Sequence, residues 1–309
     1  MTPLERATEE LAARRELYLK REDVHEIGAF KWRGALPALR VFAAAGATSV
    51  VTASTGNHGA ATAWAARELG LHAVVFVPEN AARTKVARIE ALGAELHCEG
   101  VDFDDTKERA AARAAALGVP YFEDGAEPAQ YEGYREIGAE ITAALGGAPG
   151  TTVVPLGNGA LVGGVAEGLG GSAHVVAVVA KDAPVMADSL AAGRVVESAS
   201  SATIADGLAV RVAIPYALER IAPLIDDVVR VSERELALAI GRLASAGIRV
   251  EASAAASFAA LDHLDAPAEP IVLVITGRNI DDELFERACS APHSFPDERP
   301  EKAGSDPKG

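Results

Sequence analysis

The sequence predicts an α/β protein built on open, twisted parallel sheets with helices on both faces. Short apolar runs rich in Val recur along the chain, each is followed by a longer Ala-rich amphipathic segment, and the runs are continuously apolar rather than alternating. A strand covered on both faces needs no polar side, and a parallel neighbour needs a crossover, which the helical segments provide.

The first series comprises a strand at 48–54, a helix from Ala60, a strand at 73–77, a helix from Ala81, a strand at 95–99, a helix from Asp104 and a strand at 120–123. A second series resumes with strands at 152–156, 174–179 and 271–275, and a helix is expected over 30–45. Residues 124–130, with Gly125 and Pro128, read as a connection, and the run GGAPG at 146–150 as a helix-ending loop. These elements divide into a larger domain over 1–47 and 125–289 and a smaller inserted α/β domain over 48–124. In open α/β sheets ligands gather beyond the carboxyl ends of strands, so binding is expected between the two. After Cys289, prolines and charges replace apolar periodicity, and 290–309 is expected to be a disordered tail.

The 309 residues are 49% hydrophobic and 24% charged, a globular composition with ample material for a core. A formal net charge of -15 without any Lys/Arg block argues against nucleic acid as a partner, because phosphate contacts need a concentrated basic face. There is no run of about 18 apolar residues, and the first 15 residues are charged rather than apolar, so no membrane partner and a cytoplasmic location are expected. Cys98 and Cys289 stand far apart without CxxC or Cys/His spacing, and the seven histidines form no HExxH pair. No metal site is expected.

Chemistry concentrates in four segments. Lys31 lies in the run EIGAFKWRGA at 26–35. A lysine amine is a poor nucleophile while it is a solvated ammonium, but against an apolar wall it can lose its proton and join an aldehyde. Phe30 and Trp32 flank it as candidates for that wall. Taken alone, the string is equally readable as a surface lysine at a helix start. Ser54-Thr55-Gly56-Asn57-His58-Gly59 runs from a strand into a helix, where N–H groups, hydroxyls and small glycines make an anion site suited to a small carboxylate. Gly157-Asn158-Gly159-Ala160-Leu161 links a strand to another helix and can cradle a phosphate through its backbone, without the GxGxxG spacing or a Walker motif. Thr276, after the strand at 271–275 and before Gly277-Arg278-Asn279, can place a neutral hydroxyl against a pyridine nitrogen. Together the four suggest a lysine-bound, phosphate-bearing cofactor.

With these residues in view, the chain resembles the fold-type II pyridoxal phosphate enzymes, specifically the serine/threonine dehydratase and serine racemase group. The likeness spans 17–280 and includes, in the family's order, KRED at 20–23, the lysine motif, 54–59, TIADG at 203–207, VEAS at 250–253 and the Thr276 loop. The resemblance implies a tryptophan synthase β-subunit-like fold and pyridoxal 5'-phosphate joined to Lys31, with Phe30 packed near its ring. Asn57 would bond the ring's phenolic oxygen, Gly157, Asn158, Gly159, Ala160 and Leu161 would hold the phosphate, Thr276 would face the ring nitrogen, and Gly207 and Glu251 would line the far side. Ser54, Thr55 and Asn57 would bind the substrate carboxylate, with Lys31 as catalytic base and Thr55 as a hydroxyl on the opposite face. The implied activity is β-elimination from a small β-hydroxy amino acid such as L-threonine or L-serine, giving a 2-oxo acid and ammonia, in a homodimer.

The chain also departs from that pattern. Gly-Asn-Gly-Ala at 157–160 and Ser-Thr-Gly-Asn at 54–57 look more like threonine synthase, so β-replacement stays beside elimination, and the Thr55 hydroxyl keeps racemisation open. Glu132-Gly133-Tyr134-Arg135 replaces the usual dehydratase Gly-x-Gly-Thr, which makes the region around Tyr131 to Arg135 a candidate side-chain pocket for a larger or acidic substrate. Arg135 is as readily a surface charge. Val179-Ala180-Lys181 stands where the racemases begin a divalent-metal site with Glu, and Arg278 replaces a usual glycine.

Overall fold

A computed structural model describes residues 1–198 and 200–297. The chain begins with β1 (Leu4–Arg6), α1 (Glu9–Ala12), β2 (Leu17–Arg21) and α2 (Trp32–Ala44). It continues through β3 (Ser49–Ala53), α3 (Asn57–Leu69), β4 (His72–Val77), α4 (Arg83–Ala91), β5 (Glu95–Cys98) and α5 (Phe103–Leu117). Next come α6 (Pro128–Leu145), β6 (Thr151–Pro155), α7 (Ala160–Gly168), β7 (His174–Ala180), α8 (Val185–Ala192), α9 (Pro215–Ile221) and β8 (Asp227–Val231). The last elements are α10 (Glu233–Ser245), α11 (Ala252–Ala259), β9 (Ile271–Ile275) and α12 (Asp282–Ser290).

Six strands form one sheet in the order β1-β2-β9-β6-β7-β8, parallel throughout except for β1 at the edge. β3, β4 and β5 form a second, three-stranded parallel sheet. The central strands β6 and β9 are buried at every position, as continuous apolar runs require when helices cover both faces. No apolar run announces the outer strands. Lys20 and Arg21 interrupt β2, and β8, at the opposite edge, buries only Val231. The strand expected at 120–123 reduces to one bridge between Val51 and Tyr121, cut short by Pro120 before it and by Gly125, at φ +90°, after it.

The helix α2, placed by sequence with the larger domain, buries Ala35, Ala38 and Leu39 in one core with Val50, Trp64, Ala65 and Phe122 of the smaller sheet. Its other face lies on α6. A Cβ on Gly133 would fall 1.8 Å from the Arg33 carbonyl oxygen, so only glycine permits this approach. One correction concerns the expected tail. A 3₁₀ turn at Pro292–Ser294 follows α12 and delivers Phe295 into the core beside α10, where Arg234 N–H donates to the Pro296 carbonyl at 3.1 Å. A single aromatic among prolines gives no periodicity to read. The remainder of that expected tail, 298–309, lies outside the described residues.

A buried charged network ties β2, α2 and α6 together. Arg33 donates from Nε to Glu22 at 2.8 Å, from Nη1 and Nη2 to Glu140 at 2.9 and 2.8 Å, and from Nη2 to the Thr2 hydroxyl at 2.9 Å. Lys20 Nζ joins by donating to the Thr2 carbonyl at 2.7 Å and to Glu140. Burial works to raise the Glu140 pKa, but hydrogen bonds from Arg33 and Lys20 outweigh it and hold it down at about 2. Replacing Arg33 by Met would take from buried Glu22 the guanidinium bonded to it at 2.8 Å and leave only Lys20, 3.8 Å away, to balance its charge. Urea unfolding of Arg33→Met is expected to show a loss of about 3–5 kcal/mol; a loss under about 1 kcal/mol would mean that the network does not anchor the fold.

Candidate active site

Three strand ends and the start of α2 meet in one cleft. The segment before α2 is tied to the end of β9 by the Ala29–Gly277 bridge, by Phe30 N–H donating to the Thr276 carbonyl at 2.9 Å, and by Arg278 N–H donating to the Gly28 carbonyl at 2.9 Å. This tie sets Lys31 at the cap of α2. The Lys31 Nζ lies 2.5 Å from Asp124 Oδ2 and 5.0 Å from the centre of the Phe30 ring. Phe30 packs on Tyr134 at 5.1 Å and supplies the expected apolar wall. Trp32 does not. It stacks on His25 at 4.5 Å and meets Trp64 in the core of the smaller sheet.

β3 ends at Ala53, and 54–56 lead directly into α3, which begins at Asn57 rather than at the expected Ala60. The Ser54 hydroxyl accepts from Gly56 N–H at 3.2 Å, and a Cβ on Gly59 would fall 2.8 Å from the Ser54 carbonyl, so Gly59 keeps the turn tight. Thr55 is partly exposed beside it. Asn57 Nδ2 donates to both Glu251 oxygens at 3.0 and 3.1 Å, and Asn57 Oδ1 accepts from Asn279 Nδ2 at 2.7 Å. Glu251 N–H in turn donates to the Gly277 carbonyl at 3.0 Å. Thr276, in the same loop, has a buried hydroxyl with no hydrogen-bond partner among the described residues.

The third loop comes after β6. Gly159, at φ +98°, opens α7, and Asn158 Oδ1 accepts from Ala160 N–H at 3.2 Å. Ala160 and Leu161 form the first turn, whose amides have no carbonyl to bond within the helix and face an anion favourably. A Cβ on Gly157 would fall 2.2 Å from the Gly207 carbonyl, and Gly207 N–H donates to the Ser253 hydroxyl at 2.9 Å. A Cβ on Gly125 would fall 2.8 Å from Asn158 Nδ2, which brings this loop against the segment carrying Asp124. Gly164 belongs to packing, since a Cβ there would lie 2.5 Å from Tyr134 Cβ on α6.

The structure therefore gathers Lys31, Phe30, Ser54, Thr55, Asn57, 157–161, Gly207, Glu251 and Thr276 around one cleft. The pocket sought around Tyr131 to Arg135 does not form part of it: Tyr131 and Tyr134 are core residues, while Arg135 is exposed beside Glu132 at 3.7 Å. Arg278 points to the segment before Lys31, donating to the carbonyls of Asp23 and His25. The sequence reading missed Asp124, which looked like part of a connection, and assigned no role to Asn279. Neither position carries a local signal, because both act through contacts with residues about 90 and 220 positions away.

Electrostatics sets two carboxyl groups apart. Burial pushes the Glu251 pKa up to about 7, against the pull of Asn57 and with Asp206 adding to the rise. Asp124 moves the other way: burial would raise its pKa, but the Lys31 ammonium holds it well below the usual carboxylate range. Burial lowers the pKa of His58, which lies with Nδ1 3.5 Å from Asp124 Oδ1.

Residues 1–277 match the family described as pyridoxal-phosphate dependent enzymes. The chain belongs to that family. It is 32% identical over 278 residues to an L-threonine ammonia-lyase of Thermotoga maritima, covering 88% of this chain and 69% of that protein. It is 33% identical over 272 residues to an L-threonine ammonia-lyase of Geobacter sulfurreducens, covering 86% and 67%. Among solved structures, the processed form of threonine deaminase isoform 2 from Solanum lycopersicum superposes with a TM-score of 0.86 at 28% identity, covering 93% of this chain and 82% of that one. Maize serine racemase superposes at 0.85 with 25% identity, covering 93% and 91%. The fold is the tryptophan synthase β-subunit-like, fold-type II arrangement expected from the resemblance.

The residues of this cleft fit pyridoxal 5'-phosphate. Thr276 offers a buried hydroxyl that lacks a partner among the described residues, Gly157 lets its loop pack directly on the Gly207 carbonyl, and α7 presents its N-terminus beside them. Because that hydroxyl is unsatisfied without the cofactor, Thr276→Val is expected to leave the melting temperature of the cofactor-free protein unchanged or higher, while weakening cofactor binding about 3- to 10-fold. Equal losses in both measurements would show that the hydroxyl serves folding instead. Glu251 gives a pH signature. Its folded pKa of about 7 exceeds the ordinary 4.5, so the folded state holds the proton more tightly and stability falls as pH rises through that interval. Cofactor-free Glu251→Gln should lack this decline, gaining about 3 kcal/mol relative to the parent between pH 4.5 and 8 by urea unfolding; parallel pH profiles would contradict it.

Proposed function

We propose that this protein dehydrates and deaminates a small β-hydroxy amino acid, L-threonine or L-serine, to a 2-oxo acid and ammonia. The observation that carries the reading is Lys31: its Nζ pairs with Asp124, whose neighbour Gly125 abuts Asn158 of the 157–161 loop, and its own segment is bonded to the 276–279 loop, which is bonded in turn to Asn57. The threonine ammonia-lyases similar to this chain over most of its length support the same chemistry.

Pyridoxal 5'-phosphate, when bound, supplies an aldehyde that joins an amine and a ring that draws electrons from the neighbouring carbon. In this reading Lys31 would carry it, Gly157, Asn158, Gly159, Ala160 and Leu161 would hold its phosphate, Thr276 would face its ring nitrogen and Asn57 would bond its phenolic oxygen. Phe30 packs near the ring, and Gly207 and Glu251 line its far side. Ser54, Thr55 and Asn57, at the N-terminus of α3, bind the substrate carboxylate. With substrate bound, the free Lys31 amine would take the proton from Cα as general base. Loss of the β-hydroxyl as water then leaves an unsaturated amine, which water converts to the 2-oxo acid and ammonia. A neutral hydroxyl at Thr276, in place of a carboxylate, would leave the ring nitrogen unprotonated and so would favour expulsion of the β-group.

A cytoplasmic homodimer belongs to the same reading and rests on the family resemblance; no helix among the described residues is long and apolar enough to cross a membrane. The test is 2-oxo acid release by the cofactor-loaded protein from L- and D-serine, L- and D-threonine, 3-hydroxyaspartate and phenylserine, with Lys31→Ala as the blank. Release from L-serine or L-threonine that falls by at least about 10³-fold in the blank is expected. No release from any of them, or product only when a second nucleophile is added, would replace elimination by β-replacement.

A further inference from the structure

The Lys31 amine has a built-in proton partner. Asp124 Oδ2 lies 2.5 Å from Nζ, and Gln130 Nε2 fixes the same carboxylate by donating to Oδ1 at 3.1 Å. Gln130 is itself held, since its Oε1 accepts from Gly125 N–H at 2.8 Å. On the other side of the carboxylate stands His58, buried, with Nδ1 3.5 Å from Oδ1. The tautomer of that ring is set at its far nitrogen. His58 Nε2 faces the Thr52 hydroxyl at 3.1 Å and the Phe122 carbonyl at 3.3 Å, and the Thr52 hydroxyl has already committed its proton to the Phe122 carbonyl at 2.7 Å. Both neighbours of Nε2 can only accept, so Nε2 carries the hydrogen. In the neutral ring, Nδ1 is then a bare lone pair facing a carboxylate oxygen, an arrangement that is satisfied only by a proton between them.

We propose that Lys31 and Asp124 share a single proton, and that His58 Nδ1 is the acceptor that stabilises Asp124 when the proton is on the carboxyl group. The proposal rests on the reading of Lys31 as the residue that carries the cofactor. The transfer is balanced. An N–H bond of the Lys31 ammonium breaks and an O–H bond forms on Asp124 Oδ2, leaving a neutral amine and a neutral acid. Half a turn of the carboxyl group about Cβ–Cγ then presents that O–H to Nδ1. Return of the proton reverses each step.

The physical reason is charge balance in a buried place. While Lys31 is an ammonium, Asp124 has a counter-ion and stays ionised. Once Lys31 becomes a neutral amine able to act as a base, the carboxylate would be a buried charge without a partner, and its affinity for the proton rises. The proton that Lys31 sheds is therefore kept within hydrogen-bonding distance instead of being lost to water. The other ionisable groups facing this pair leave the balance undisturbed. Glu123, beside His58 in charge, is ion-paired with Lys107 of α5, and the Tyr131 and Tyr134 phenols on α6 are pushed up by burial and remain neutral. Asp124 acts directly on the reacting nitrogen, whereas His58 acts through Asp124 and is a positioning residue.

The test uses the cofactor-loaded protein and two spectroscopic readouts. Borohydride reduction and then peptide mapping first establish whether the cofactor is on Lys31; a label elsewhere would end the underlying reading, independently of either spectroscopic result. With the label on Lys31, the visible absorption of the cofactor is titrated with pH. A carboxylate beside the linkage nitrogen favours its protonated form, so the midpoint should fall by about one to two pH units in Asp124→Asn and by less in His58→Gln. An unmoved midpoint in Asp124→Asn, with cofactor still on Lys31, overturns the proposal. The second readout needs no variant: nitrogen-15 NMR of the parent should give His58 as the Nε2–H tautomer with Nδ1 accepting a hydrogen bond. A proton found on Nδ1 in the neutral ring would overturn it equally.

Discussion

The Arg33 guanidinium is the constraint on which the geometry of this cleft depends. It is fully buried in the first turn of α2, two residues beyond Lys31, and has to be satisfied from several directions at once. Glu22 reaches it from the end of β2, Glu140 from α6 and Thr2 from the N-terminal segment. An uncompensated charge in this position would cost several kcal/mol, so these elements can only pack in the one arrangement that brings their oxygens to it. That arrangement fixes the axis and rotation of α2, and Lys31 at its cap inherits a defined position. Gly133 completes the contact by letting the α6 backbone approach the Arg33 carbonyl.

Once α2 is fixed, the end of β9 is drawn to it by main-chain bonds, and the polar groups of the site link in sequence: Gly277 to Glu251, Glu251 to Asn57, Asn57 to Asn279, and Asn279 back to the carbonyls of Ile27 and Gly28. This closed circuit joins both sheets. It also explains why two carboxyl groups in one cleft titrate so differently. Glu251 is offered amide donors and, among the described residues, only the more distant pull of Arg88, so burial dominates and its proton is retained up to about pH 7. Asp124 has an ammonium at 2.5 Å, and Coulomb attraction at that distance outweighs the same burial. One cleft thus holds a carboxyl group that is neutral at mildly acidic pH and another that stays ionised while Lys31 is an ammonium.

Much of the architecture was legible because it depends on local regularity. The strands at β3, β4, β6, β7 and β9 are continuous apolar runs, and the three glycine-bearing loops after β3, β6 and β9 sit where an open α/β sheet places its ligands. Strands β2 and β8 were not legible, since Lys20 and Arg21 interrupt the apolar run of β2, and β8, at the edge, is charged and mostly exposed or half-buried. Phe295 was hidden for a related reason, being one aromatic residue in a stretch of prolines.

The sequence by itself determined the α/β class, the lysine, the loops around it and the family, because each is written in a contiguous string whose chemistry does not depend on distant residues. Tertiary structure alone decided what surrounds the Lys31 nitrogen. Asp124 reads as part of a connection until folding carries it 93 positions back to Lys31, and His58 reads as one letter of a loop until Thr52 and Phe122 fix its tautomer. Tyr131 and Tyr134, which looked like a substrate pocket, prove to be core because α6 turns them against Phe30 and α7. Proton affinity and pocket shape depend on which groups come within a few ångströms of one another through space, and no spacing along the chain encodes that.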